Sequence, residues 1–176
     1  MKESILLILG FVLVNNYALS SFLGLTPLLG FARKGEKILV MGLSVTGVTV
    51  LAALILWLLR KLPAALHILA AVTVILILVY LLQLLLGKKL GIWFPVIALN
   101  SAVLGLCLNQ LGADSLLTVL LSALGVGLGF LLGLFLLSGV QERLEDDQAP
   151  AAFRGIPLQI LAAAIVAMAL TAFQFK

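Results

Sequence analysis

The chain has 176 residues, 64% of them hydrophobic and only 10% charged, with 11 Lys and Arg against 7 Asp and Glu. A soluble domain carries about 25% charged residues, and a composition this apolar cannot cover its own surface with polar groups, so the exterior must face lipid. The +4 balance contains no basic run interleaved with aromatics, which argues against a nucleic-acid partner, and the single cysteine, Cys107, excludes an internal disulfide framework.

The charges sit in short clusters, and they leave six uncharged stretches: 4–32, 38–59, 62–87, 90–113, 115–141 and 155–175. A helix needs roughly 20 apolar residues to cross the hydrocarbon core. The spacing therefore predicts an all-α integral membrane protein, one domain over 1–176 with six transmembrane helices.

The first stretch is too long for a cleaved signal peptide, and Asn15-Asn16 interrupts its apolar run. It closes on Ser20-Ser21 and Gly24-Leu25-Thr26-Pro27, so the first helix is expected to be broken. The second and third stretches read as plain apolar helices. His67, near the start of the third, is expected at the interface; as a haem ligand it lacks an evident second. The fourth stretch carries Pro95, Asn100, Ser101 and Gly105 and is expected to break as well. Cys107 has no metal-ligating neighbour at ligand spacing and is expected in the core. In the fifth stretch Gly125, Gly129 and Gly133 recur every fourth residue, a spacing that lets helices approach closely. Internal packing is the preferred reading of this face over a dimer seam.

Two readings of the broken segments stand. They are ordinary kinked helices with polar packing residues, or they are functional breaks, tolerated at membrane depth only where buried in protein or lining a cavity. Each lies in the first span of a three-span half, about 1–87 and 88–176, so the second half enters the membrane with opposite polarity. That pattern points to an inverted repeat. Seven Lys and Arg lie in the loops after spans 1, 3 and 5, and four on the other side. This bias puts those loops in the cytoplasm and both termini outside. The chain has no phosphate-cradling motif and no nucleophile–base set, and no charged residue falls in the middle of a span. These absences argue against a self-contained enzyme or a self-sufficient ion-coupled carrier, and for a part of a larger assembly.

Leu13-Val14-Asn15-Asn16, Phe22-Leu23-Gly24-Leu25 through Gly30, Met41-Gly42-Leu43, Asn100 with Ala102-Val103-Leu104-Gly105, Glu142-Arg143-Leu144, and Pro150 with Phe153-Arg154-Gly155 form an ordered set. In this set the sequence resembles the RnfA/NqrE family, the A-type membrane subunit of Rnf ion-translocating electron-transport complexes. The resemblance implies six helices in two inverted three-helix repeats in the bacterial inner membrane, with the termini periplasmic. It implies a tight pair with a homologous six-helix subunit of the RnfE/NqrD type. That pair would sit within a translocase coupling electron transfer between ferredoxin and NAD to ion transport, the chain being non-catalytic alone.

In the family the pair shares one iron–sulfur cluster, of the [2Fe–2S] kind, and each member supplies two cysteines, in Leu-Gly-Leu-Cys-Pro and Asn-Cys-Ala-Val-Leu-Gly. This chain departs from that pattern: Thr26 and Ser101 stand at the two cysteine positions. A neutral hydroxyl is a harder and weaker ligand than a thiolate. The expectation is that Thr26 and Ser101 hydrogen-bond carbonyls freed by the breaks and give no direct iron ligand. The alternative function is a non-redox membrane transporter or scaffold subunit that kept the fold and lost the cluster.

Overall fold

Helix length separates the six stretches into two groups. The computed structural model of the chain describes residues 2–24, 29, 35–90, 94–98, 100–143 and 150–172. Among them there are helices and turns and no strand. The elements are α1 (Lys2–Leu9), running on into a π-helical turn (Gly10–Val14), α2 (Gly35–Leu58), α3 (Ala64–Leu90), α4 (Phe94–Ala98), α5 (Ser101–Asn109), α6 (Leu116–Gln141) and α7 (Ile156–Thr171), the last preceded by a 3₁₀ turn (Ala151–Phe153). Among the described residues three segments are long and apolar enough to cross a membrane: Ile38–Leu58, Ala64–Leu85 and Leu116–Gln141. The helix from Lys2 to Val14 rises only about 20 Å at 1.5 Å per residue, short of a hydrocarbon core about 30 Å thick. The first and fourth stretches are broken as expected, the first at Asn15-Asn16 and the fourth at Asn100, while Pro95 lies within α4 and Pro27 lies outside the described residues. The first widens into an i→i−5 turn, Asn15 N–H donating to Gly10 O at 2.7 Å, and ends there.

The centre of the molecule is α2 packed along α6. Val45, Val48, Ala52 and Leu56 of α2 and Val126, Phe130, Leu134 and Leu137 of α6 are all buried. Two glycines set the approach of this pair. A Cβ on Gly42 would collide with the Leu131 side chain, and one on Gly127 would lie 2.8 Å from the Thr46 Cα. Thr46 and Thr49 donate their hydroxyls to the carbonyls of Gly42 and Val45 at 2.7 and 2.6 Å, so neither needs a partner across the interface.

The glycine face of α6 is an internal packing surface, in agreement with the preferred reading. A Cβ on Gly125 would lie 2.8 Å from the Phe11 Cβ, and one on Gly129 would lie 2.9 Å from the Phe11 carbonyl. The first helix is thus seated against α6 backbone to backbone. At the far end of α2, the Trp57 indole and the Arg60 guanidinium both donate to Ala113 O at 3.1 Å, and Arg60 lies 4.4 Å over the Trp57 ring. This clasp ties the end of α2 to the turn before α6. Helix α3 is peripheral: 17% of its apolar window is buried, against 50% for α2 and 56% for α6. Ile68, Leu69, Ile77 and Tyr80 project from it as exposed apolar side chains, an arrangement suited to lipid or to another membrane protein.

Candidate functional site: the two broken segments

Each break is organised by one buried asparagine. Asn15 is exposed and Asn16 is fully buried. The Asn16 side-chain oxygen accepts from the N–H groups of Ala18 and Leu19 at 3.0 and 3.2 Å, and its amide nitrogen donates to Val12 O at 2.8 Å and Gly129 O at 2.9 Å. One side chain thus bonds four backbone groups where the helix stops and clamps the break to α6. The chain continues through a compact turn, Ser20 N–H to Asn16 O at 2.7 Å and Leu23 N–H to Tyr17 O at 2.9 Å.

Asn100 does the corresponding work between α4 and α5. It is the N-cap of α5, with extended backbone (φ −73, ψ 104), and its side-chain oxygen accepts from Ala102 N–H at 3.0 Å. That bond also fixes the amide orientation, because a flipped –NH2 would face another donor. Asn100 is 1% exposed, and its amide nitrogen has no hydrogen-bond partner among the described residues. The two asparagines match in capping and differ in their –NH2 groups: among the described residues one is doubly bonded and the other has no partner.

The two breaks touch. Gly24 N–H donates to the Ser101 hydroxyl oxygen at 2.8 Å. Gly24 has φ +74, and a Cβ there would collide with the Asn100 side-chain oxygen, so glycine is required both for conformation and for room. Leu23 packs on Gly105, whose Cβ would come within 3.1 Å of it, and Asn109 donates to the Tyr17 hydroxyl at 2.7 Å. Beside this junction lies a cavity of about 230 Å³. It is walled by Val72, Ile75 and Leu76 of α3 and Ala98 of α4, and by Asn100, Ser101 and Leu104.

Of the two residues singled out at the cysteine positions, Ser101 is at this junction and Thr26 lies outside the described residues. The Ser101 hydroxyl differs from expectation in one respect: it accepts from a freed backbone N–H, where a freed carbonyl was expected. The reason is the break itself, which leaves donors at the start of α5 and in the turn ending at Gly24. Cys107, the only thiol in the sequence, is buried in the core. Among the described residues no group of three or more His, Cys, Asp or Glu side chains is placed to hold a metal. The described donors at the junction are therefore a hydroxyl and amides, and they do not fit the thiolate set that holds an iron–sulfur cluster. His67 has a buried ring nitrogen, Nε2, without a partner among the described residues. The Gly24–Ser101 and Asn16–Gly129 contacts span 77 and 113 residues, and nothing in sequence spacing announces them. The pointer the sequence does contain is an asparagine at each interruption.

A helical membrane protein with two interrupted segments, each capped by a buried asparagine and joined at one junction, belongs to the class of membrane proteins whose irregular backbone is held inside protein. Comparison with known families makes this specific: the chain belongs to the Rnf-Nqr family, described as "Rnf-Nqr subunit, membrane protein", which it matches over residues 4–176. It is 41% identical to the A-type subunit of the ion-translocating oxidoreductase complex of Syntrophotalea carbinolica, covering 98% of this chain and 97% of that one. It is 36% identical to the protein of the same name from Rhodobacter capsulatus over the same shares. It is also 33% identical to the A-type subunit of the Na⁺-translocating ferredoxin:NAD⁺ oxidoreductase complex of Acetobacterium woodii, covering 96% of this chain and 95% of the relative.

Proposed function

We propose that this chain is the A-type membrane subunit of an Rnf-type complex that couples electron transfer between ferredoxin and NAD to ion transport. The observation that carries the reading is the near full-length match of the chain to the family and to relatives named as the A-type member of such complexes. The architecture is six spans in two inverted repeats within the inner membrane. Its support is the asparagine-capped break in the first span of each half. The chain works beside a homologous six-helix subunit of the RnfE/NqrD type.

The Lys and Arg bias of seven to four orients the loops after spans 1, 3 and 5 to the cytoplasm. A cysteine introduced at Glu145, in a Cys107→Ala background, should react with a membrane-impermeant maleimide only from the cytoplasmic face. Labelling from outside reverses the orientation.

The hydroxyls at Thr26 and Ser101, with Ser101 engaged by Gly24, favour a chain that contributes no direct iron ligand. This observation also supports a second reading, a non-redox transporter or scaffold that kept the fold. One preparation separates the two. The tagged chain, purified from its own membranes, should bring down a homologous six-helix subunit together with ferredoxin:NAD oxidoreductase activity. Isolation of the chain without either supports the second reading. In the purified pair, iron and sulfide present at the start and lost on Thr26→Val with Ser101→Ala would show that the hydroxyls are ligands after all. Thr26→Cys with Ser101→Cys restores half of a four-cysteine site and should add a cluster only if the partner supplies the other half.

A further inference from the structure

We infer that the cleft between α2 and α3 seats an acyl chain of an anionic phospholipid, whose phosphate lies at the end marked by Lys37, Lys88 and Lys89. The inference needs only membrane residence and is independent of the redox assignment. A recess of about 390 Å³ runs along the two helices, walled by Leu43, Gly47 and Leu51 of α2 and by Leu78, Leu82 and Leu85 of α3. Gly47 makes room for it: a Cβ there would meet nothing within 4 Å, while its neighbour Val48 is buried and forms the inner wall. Leu43, Leu51 and Leu85 are exposed, so the recess opens on the outside of the molecule.

The walls decide that the occupant is hydrocarbon. The one polar side chain among the lining residues, Ser44, donates its hydroxyl to Val40 O at 2.7 Å. Water needs two or more polar partners, and an apolar recess of this kind stays dry. Both walls lie within the Ile38–Leu58 and Ala64–Leu85 spans, so lipid chains surround the opening. From Leu43 to Leu51 the recess extends about 12 Å at 1.5 Å per residue. It is elongated along the helices, the direction in which lipid chains cross a leaflet.

The charges at one end choose the kind of lipid. Leu58 and Ala64 are joined by a short connection, so the two helices run antiparallel and the start of α2 lies beside the end of α3. Lys37 directly precedes one span, and Lys88 and Lys89 follow the other within about one turn, which puts all three positions at the edge of the hydrocarbon. They also continue the cleft by helical register: Lys88 and Lys89 stand three and four residues after Leu85, and Lys37 stands seven before Ser44. Segments 33–37 and 88–89 together contain five Lys and Arg and one acid, Glu36. At the opposite end Arg60 is committed to Ala113 O and the Trp57 ring, and the recess stops short of it at Leu51. Basic positions between helices at headgroup level suit an anionic phosphate. A neutral isoprenoid would bring them no counter-charge.

The test uses the full-length chain extracted from membranes into micelles doped equally with phosphatidylglycerol and phosphatidylcholine, with retained lipid read by native mass spectrometry. A lysine near an anionic surface is worth about fivefold. The wild-type chain should therefore prefer phosphatidylglycerol by about a hundredfold, and Lys88→Gln with Lys89→Gln should lower that preference to about fivefold. Gly47→Leu places its side chain in the open recess and should abolish retention. Gly139→Leu, at an open glycine of α6 outside the cleft, should leave it intact. Equal retention of the two lipids by the wild-type chain overturns the proposal, as does a preference unmoved by the lysine substitutions or retention unmoved by Gly47→Leu. A neutral isoprenoid found on the wild-type chain in place of phospholipid, and lost in Gly47→Leu, gives the cleft to that molecule. Crosslinking of Gly47→Cys to another membrane subunit in the intact complex gives it to a partner helix. Either of these last two results also overturns the lipid site.

Discussion

Gly24→Ala is expected to destabilise the folded chain by about 3 kcal/mol, although it adds one methyl group. Two terms of similar size contribute. Gly24 sits at φ +74, a left-handed conformation that costs an L-residue about 1–2 kcal/mol. The new Cβ would also overlap the Asn100 side-chain oxygen and approach Phe130 Cε2 to 3.3 Å. Asn100 cannot retreat without releasing Ala102 N–H, and Phe130 is 1% exposed in the core, so the overlap costs about 1–3 kcal/mol more by overpacking. Gly47→Ala is the matched control: a Cβ there meets nothing within 4 Å, and its effect should stay within about 0.5 kcal/mol. Reversible unfolding in mixed detergent micelles measures both. Equal midpoints for the two variants would show that the junction between the breaks does not constrain the fold.

Asn16→Leu is expected to cost a similar amount, about 3 kcal/mol, for a different reason. It removes four hydrogen bonds of 2.8 to 3.2 Å and leaves the N–H groups of Ala18 and Leu19 without that oxygen, away from water. Each membrane hydrogen bond is worth only about 0.6 kcal/mol on average and up to about 1.7, so four together reach this size. Asn15→Leu, at an exposed neighbour, should have a small effect. A cycle with Gly129→Ala adds a sharper criterion. The Cβ at Gly129 would lie 3.2 Å from the Asn16 amide nitrogen and 2.9 Å from Phe11 O, so the two substitutions damage one contact and their effects should fall short of additive. Full additivity would separate the Asn16 clamp from the glycine face of α6.

Asn16 and Asn100 also mark the boundary between what is written locally and what is not. Membrane residence, the long apolar helices and the positions of both breaks follow from the linear order of residues. The cost of charge in hydrocarbon and the reach of a helix per residue are local quantities, and proline and glycine act on their own turn of backbone. The family could be read from the same order, because its marks cluster at the breaks. Local rules could not tell Asn15 from Asn16, since burial is set by where α6 lies. Nor could they foresee that Ser101 would take an N–H from Gly24, or that the amide nitrogen of Asn16 would find two carbonyls while that of Asn100 finds none among the described residues. Those outcomes depend on contacts 77 and 113 residues apart, and only folding brings such donors and acceptors within 3 Å of each other.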